Sequence, residues 1–259
     1  MVVRVAINGF GRIGRPFFRM SFDDPDIEVV AINGTSRPEL FAHLLKYDST
    51  FGVWDKDVTF DESNIIVEGK KVPAFVRKEL SGLPWKELDV DVVLESTGRY
   101  TDVEKAQAHL DMGAKKVLLS AASKNGQAIT LCYGINHREY DPAKHDIVSN
   151  ASCTTNAMAG TMMVMDNVFG VEKGLMCTIH SYTNDQVILD KSHKDLRRAR
   201  SASENIIPTT TGAAKAVSLV LPQLKGKLNG YALRVPTPNV SVVDLSLVLQ
   251  RDVTAEEVN

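Results

Sequence analysis

The stretch Val2-Val3-Arg4-Val5-Ala6-Ile7-Asn8-Gly9-Phe10-Gly11-Arg12-Ile13-Gly14 decides how this chain folds. Its first seven residues are an apolar, β-branched run of the buried-strand type, and the residues after Gly14 read as a helix to Phe22. Between them stands Gly-x-Gly-x-x-Gly in the context that gives the motif meaning, with a strand before it and a helix after it. Gly9 permits the tight turn, Gly11 lets backbone approach a pyrophosphate, and Gly14 lets the helix pack on the strand. The helix N-terminus then turns free N–H groups and the positive end of its dipole toward the phosphates. A second strand, Ile27 to Asn33, closes a βαβ unit. The expectation is a dinucleotide-binding fold.

Outward from that unit, strand-like and helix-like segments keep alternating: Val90 to Leu94, a helix over Asp102 to Met112, then Lys116 to Leu119, Ile129 to Tyr133 and Asp146 to Val148. The pattern predicts an α/β domain over residues 1–150, a Rossmann-type doubly wound and mostly parallel sheet with helices on both faces. Its ligand-facing loops follow the strand C-termini. From residue 151 to 259 the strands lengthen and alternate more clearly, as in Gly174 to His180, Tyr231 to Arg234 and Ser241 to Gln250. That suits a second, α+β domain with a largely antiparallel or mixed sheet covered on one face.

The chemistry is written in Ser149-Asn150-Ala151-Ser152-Cys153-Thr154-Thr155-Asn156. Cys153 follows a strand and precedes a helix-like run, Ala157 to Phe169, that Gly170 stops. A thiol at a helix N-terminus is drawn toward the thiolate by the dipole and by unpaired N–H groups. Ser152, Thr154 and Thr155 are N-cap residues and anion-binding hydroxyls. An isolated cysteine is more often an inert apolar filler. Here a second group accompanies it: on the strand Gly174 to His180, alternation sets Met176, Thr178 and His180 on one face, and His180 ends the strand before a polar loop. A thiol, an imidazole and a dinucleotide loop in one chain point to a Cys/His redox pair, with Cys153 and His180 catalytic.

The 259 residues carry 30 Lys and Arg against 32 Asp and Glu, a formal net charge of −2. That gives no basic footprint for nucleic acid. No run reaches the length of a membrane span, and Met1 leads directly into the first strand with no signal peptide ahead of it. Three cysteines, Cys132, Cys153 and Cys177, are too few for a disulfide framework and lack metal-ligand spacing. A cytoplasmic enzyme without a metal is expected.

Several motifs, in order, resemble those of phosphorylating glyceraldehyde-3-phosphate dehydrogenase. They are the opening Ala6 to Gly14, Leu45-Lys46-Tyr47-Asp48-Ser49, Glu95-Ser96-Thr97-Gly98 and Ser149 to Asn156. Further along come His180 to Gln186, Asp195 to Arg200, Ile207 to Lys215 and Arg234 to Val240. The resemblance runs from Val3 to Asn259 and implies an enzyme that oxidises glyceraldehyde 3-phosphate through a cysteine thioester and passes it to inorganic phosphate. It implies a cofactor held by Asn8, Gly9, Phe10, Gly11, Arg12, Ile13, Gly14, Asn33, Gly34, Thr35, Arg37, Arg77, Thr97, Gly98, Ser120 and Asn184. Thr183, Asp185 and Arg234 would hold the substrate phosphate, Ser152, Thr154, Thr211 and Gly212 the attacking phosphate, with Arg198 between them. The polar stretch Lys191 to Asn205 would be an ordered loop between the subunits of a homotetramer. Two other readings stand beside this one: an erythrose-4-phosphate dehydrogenase, from which the loop after His180 and the triple threonine separate it, and an inactive dinucleotide-binding fragment serving as an interaction protein.

The chain also departs from the family pattern. Ala157 replaces a second cysteine, and Ala122 stands where a proline is usual. About twenty residues past the last glycine, a fold specific for NAD places a carboxylate on the ribose. Here that place is Gly34, followed by Thr35, Ser36 and Arg37, with no acid before Glu39. The expectation is that NADP serves at least as well as NAD. Thr254 and Glu257 form a capping-box pattern near the last residue. Because a helix announced there has no length to continue, the chain is expected to be a C-terminally shortened form.

Overall fold

The structure, a computed structural model, describes residues 2–124 and 127–259. Met1, on which the expectation of an absent leader rests, lies outside the described residues. The chain separates into two compact units, one running to Leu131 and resuming over Glu139–Ala151, the other formed by Cys132–Arg138 and Ser152–Asn259.

The first unit contains β1 (Val3–Asn8), α1 (Gly14–Ser21), β2 (Ile27–Gly34), α2 (Pro38–Lys46), the short pair β3 (Tyr47–Asp48) and β4 (Gly52–Val53), β5 (Val58–Phe60), β6 (Asn64–Val67) and β7 (Lys70–Val76). It continues with β8 (Val92–Glu95), α3 (Val103–Asp111), β9 (Lys116–Leu119), β10 (Ile129–Thr130) and β11 (Ile147–Ser149). Nine strands of the described residues form one sheet in the order β10-β11-β9-β8-β1-β2-β7-β6-β5. The pairs from β10 to β7 are parallel, and β6 and β5 add an antiparallel edge. Alternation along β1 explains the layers. Val5 and Ile7 join Phe18, Phe41 and Leu45 under α1 and α2, while Ala6 joins Val30, Trp85 and Val93 on the opposite face. Both faces are covered, as buried parallel strands require. Asp102 caps α3 by accepting from the Glu104 N–H. The strand expected over Ile129 to Tyr133 is shorter, because Cys132 turns away and its N–H donates to Asn136 Oδ1 at 2.9 Å.

The second unit holds α4 (Cys153–Phe169), β12 (Val171–Ser181), β13 (Ile207–Thr209), α5 (Ala213–Val220), β14 (Leu228–Val235), β15 (Val242–Leu249) and a terminal turn α6 (Ala255–Val258). Its sheet runs β13-β14-β12-β15 and is mixed: β12 and β14 are parallel, the other pairs antiparallel. Met176, Thr178 and His180 are buried on one face of β12. The other face of the sheet is mixed, with Asp244 and Ser246 exposed beside apolar side chains. Leu175, Tyr231, Val242 and Val248 are all exposed there. The stretch Lys191 to Asn205 has no helix or strand, yet it is tied down: the Ser201 N–H donates to Asp190 Oδ1 at 2.9 Å and Ser201 Oγ to the Ile188 carbonyl at 2.6 Å. Thr254 and Glu257 complete the capping box on a single turn.

Candidate active site

Cys153 is the first residue of α4. Ser152, extended at φ −107° and ψ 161°, is its N-cap and accepts from the Thr155 N–H, so the serine that resembled an anion ligand already satisfies one helix-end donor. Ala151, just before it, holds φ 58° and is buried, a left-handed conformation that costs a non-glycine residue about 1–2 kcal/mol. Nothing in the sequence announces that strain. It sits two residues from the nucleophile, where such outliers tend to gather.

His180 reaches Cys153 from β12, its Nε2 3.3 Å from Sγ. Its Nδ1 lies 2.6 Å from the Ser181 carbonyl, which fixes the ring with Nε2 facing the sulfur. The hydrogen bond from His180 is the largest influence on Cys153 and outweighs the opposing effect of burial. With smaller help from the imidazole charge and from Thr154, it brings the thiol pKa down to about 7. Cys132, buried without such a partner, is pushed up instead.

Arg234 enters because β14 lies parallel to β12 with Arg234 opposite His180. Its Nη1 donates to the Ser181 carbonyl at 2.9 Å and lies 2.9 Å from His180 Nδ1. Its Nε is buried with no partner. Burial first, and the Arg198 charge next, lower its pKa. Two guanidinium groups close enough to repel, one with an unused buried N–H, make a site that favours an anion. Arg198 is aimed by Thr209, whose Oγ1 accepts from Nε at 3.0 Å and Nη2 at 2.8 Å, and by an ion pair with Asp185. Asp185 is ion-paired with Arg198 and lies within reach of His193. Partial burial opposes its ionisation, but the Arg198 hydrogen bond and charge prevail and hold the carboxyl below its usual range. Thr209, the last residue of β13, is not among the ligands that the sequence suggests. Thr211 Oγ1 accepts from the Ala213 N–H at 3.2 Å, and Gly212 is the N-cap of α5. Thr183 and Asn184 are exposed in the turn after β12.

In the first unit the glycines behave as their positions demand. Gly9 holds φ +99°, and a Cβ there would stand 2.6 Å from the Thr97 nitrogen. At Gly14 a Cβ would overlap the Gly9 carbonyl and Ile7. At Gly11 it would meet nothing within 4 Å, so no part of the described protein explains that glycine. Phe10 is buried against Phe18 and Phe41, Ile13 is exposed, and Arg12 is paired with Asp48. The residues gathered along the sheet edge are Asn8, Asn33, Arg77, Thr97 and Ser120. Asn33 Nδ2 donates to Asn8 Oδ1 at 2.7 Å, the Arg77 N–H to Asn33 Oδ1 at 3.0 Å, and the Ser120 N–H to the Glu95 carbonyl at 3.0 Å. Gly98 follows with φ +71°. Gly34 ends β2, and a Cβ on it would lie 2.8 Å from Phe41 Cζ, so a side chain there must displace that ring. Thr35 is exposed, and Arg37 is 84% exposed beside Glu39 at 3.5 Å. No cluster of three or more metal-ligating side chains occurs among the described residues.

A doubly wound dinucleotide fold and a thiol set against an imidazole define the class of a dinucleotide-dependent oxidoreductase. A family model for the NAD binding domain of glyceraldehyde 3-phosphate dehydrogenase matches residues 3–103, and one for its C-terminal domain matches residues 152–259. Over 259 residues the chain is 57% identical to glyceraldehyde-3-phosphate dehydrogenase of Geobacillus stearothermophilus, covering 100% of this chain and 77% of that one. It is 56% identical to glyceraldehyde-3-phosphate dehydrogenase 2 of Bacillus subtilis, with 100% and 76% covered, and 55% identical to the Streptomyces coelicolor enzyme, with 100% and 77% covered. The chain belongs to the glyceraldehyde-3-phosphate dehydrogenase family.

Proposed function

We propose that this chain catalyses the reversible, phosphate-dependent oxidation of glyceraldehyde 3-phosphate to 1,3-bisphosphoglycerate. The observation that carries it is Cys153 Sγ at 3.3 Å from His180 Nε2, with two guanidinium groups beside the pair. Thiolate Cys153 adds to the aldehyde carbon and the oxygen takes the Nε2 proton of the His180 imidazolium, giving a thiohemiacetal and a neutral imidazole. His180 Nε2 then removes that hydroxyl proton as hydride leaves the carbon, and the product is a thioester. Inorganic phosphate attacks the thioester carbonyl, the C–S bond breaks, and the thiolate is restored. Arg234 and Arg198, the latter held by Asp185 and Thr209, bind the two anions. Ser152, Thr154, Thr183, Thr211 and Gly212 supply hydroxyl and backbone donors around them.

A nicotinamide dinucleotide, held at Gly9 to Gly14 and along Asn33, Thr97, Gly98 and Ser120, supplies the hydride acceptor. Gly11, with open space where a side chain would stand, is the part of that edge a pyrophosphate accounts for. The missing acid at Gly34 supports NADP being used at least as well as NAD. The exposed apolar side chains of the outer sheet face, Leu175 and Tyr231 among them, support burial against a second copy, as in a homotetramer. No helix among the described residues is long and apolar enough to cross a membrane, and three free thiols suit a reducing cytoplasm. Nothing favours erythrose 4-phosphate as substrate over the substrate in the relatives' names. A steady-state assay with glyceraldehyde 3-phosphate, phosphate and either NAD or NADP tests the reading. Turnover that ignores phosphate, or none with either cofactor, overturns it.

A further inference from the structure

The first unit encloses a buried polar chain that the reaction above does not use. Trp85, His109 and Glu95 are 0%, 0% and 2% exposed, and Asn8 and Asn33 only 1% and 2%. Trp85 Nε1–H donates to His109 Nδ1 at 3.1 Å. That ring nitrogen accepts, so the proton sits on Nε2, which donates to Glu95 Oε2 at 3.0 Å. Asn8 Nδ2 donates to the same oxygen at 2.5 Å. Glu95 Oε1 takes the Thr97 N–H at 2.8 Å and the Thr97 hydroxyl, and that hydroxyl in turn accepts from the Arg99 N–H at 3.0 Å.

The bond directions in this chain follow from two fixed groups, the donor-only Trp85 indole at one end and the Glu95 oxygens, which accept from every neighbour, at the centre. Because Glu95 accepts only, Asn8 must turn its amino group inward and its carbonyl toward Asn33. Asn33 must then give its amino group to Asn8, leaving Oδ1 for the Arg77 N–H. Thr97 is held at the same time, and its backbone nitrogen lies 2.6 Å from where a Cβ on Gly9 would stand. Ser96 Oγ completes the tie by donating to the Gly9 carbonyl at 2.7 Å. Four strand ends, those of β1, β2, β7 and β8, are thereby locked in one register.

We propose that Glu95, itself oriented by His109 and Trp85, is the positioning residue of the dinucleotide edge. It presets the amides of Asn8 and Asn33 and the turn at Thr97, and so sets cofactor affinity without touching the thiol chemistry. The proposal rests on the reading of Gly9 to Gly14 as the dinucleotide site. A buried carboxylate with this many donors is costly to place, and its donors are the groups that line that edge.

The test is binding of NAD and NADP by the whole chain, followed by calorimetry well below the unfolding temperature. Glu95→Gln keeps the shape but puts an amino group where an acceptor is needed, so one donor of the chain must turn away. We expect Kd to weaken at least about tenfold, the scale of one charge-assisted hydrogen bond. The pH dependence of Cys153 alkylation in the cofactor-free protein should not move. Trp85→Phe leaves the carboxylate and removes only the far donor. It should weaken Kd about threefold to tenfold and release His109 from its single tautomer, read from its ring nitrogen NMR signals. If Glu95→Gln does not fold, Trp85→Phe decides alone. Wild-type affinity in a folded Glu95→Gln, or in Trp85→Phe where that is the sole folded variant, overturns the proposal, even with a lowered unfolding temperature. A wild-type chain that binds neither cofactor removes the dinucleotide reading as well.

Discussion

Cys153 and His180 stand 27 positions apart, and their meeting gives the thiol its reactivity. Because the thiolate is the attacking form, alkylation of Cys153 should rise with pH through an inflection at about 7. His180→Asn removes the largest cause of that lowering. The inflection should move up toward the ordinary thiol value, and hydride transfer should slow by roughly a hundredfold or more. Unchanged alkylation kinetics would mean that the two side chains do not act on each other in solution. Cys132, raised by burial, serves as the internal slow thiol in the same experiment. For Arg234→Leu, the Michaelis constant for glyceraldehyde 3-phosphate should rise roughly tenfold to a hundredfold, and that for unphosphorylated glyceraldehyde far less. Equal losses on both would place Arg234 outside the phosphate site.

At the scale of the element, the turn from β1 into α1 separates two kinds of glycine. Gly14→Ala drives a Cβ into the Gly9 carbonyl and the Ile7 side chain, so the helix must move off the strand and stability must fall. Gly11→Ala meets open space. We expect its unfolding temperature to stay within a few degrees of the parent, while dinucleotide affinity drops about tenfold or more as the methyl enters ligand space. Calorimetry with and without NAD distinguishes the two, and an unaltered affinity in Gly11→Ala would remove the pyrophosphate from this turn. The strand β12 carries a similar division of labour. Its inner residues Met176 and Thr178 anchor the strand whose end bears His180, and its outer Leu175 contributes to a face that stands uncovered.

For the molecule as a whole, cofactor choice is the property on which sequence and structure add different reasons. The sequence shows that no carboxylate ends β2. The structure adds that Phe41 fills the space above Gly34, so a side chain there must displace a buried ring. Gly34→Asp and Gly34→Ala share that overlap and differ in charge. Relative to Gly34→Ala, Gly34→Asp should shift preference from NADP toward NAD. Equal cofactor ratios in the two variants would show that packing alone accounts for the glycine.

The sequence by itself determined what is local. Alternation and glycine spacing marked β1, α1, β2 and the inner face of β12, because side-chain periodicity is a property of consecutive residues. It also marked Cys153 and His180, since a helix start and a strand end are read from their neighbours in the chain. Tertiary structure decided which distant residues meet. That β14 lies parallel to β12, bringing Arg234 to His180, depends on strand order that no local pattern encodes. The pairing of Asp185 with Arg198, and the hydroxyl of Thr209 that aims the same arginine, follow from that same packing. Likewise Asn8 and Glu95, 87 positions apart, are hydrogen-bonded because parallel strands end side by side, and His109 reaches the same carboxyl from α3. A charge buried at such a junction is satisfied by whatever the fold delivers there, and the order of the chain does not disclose it.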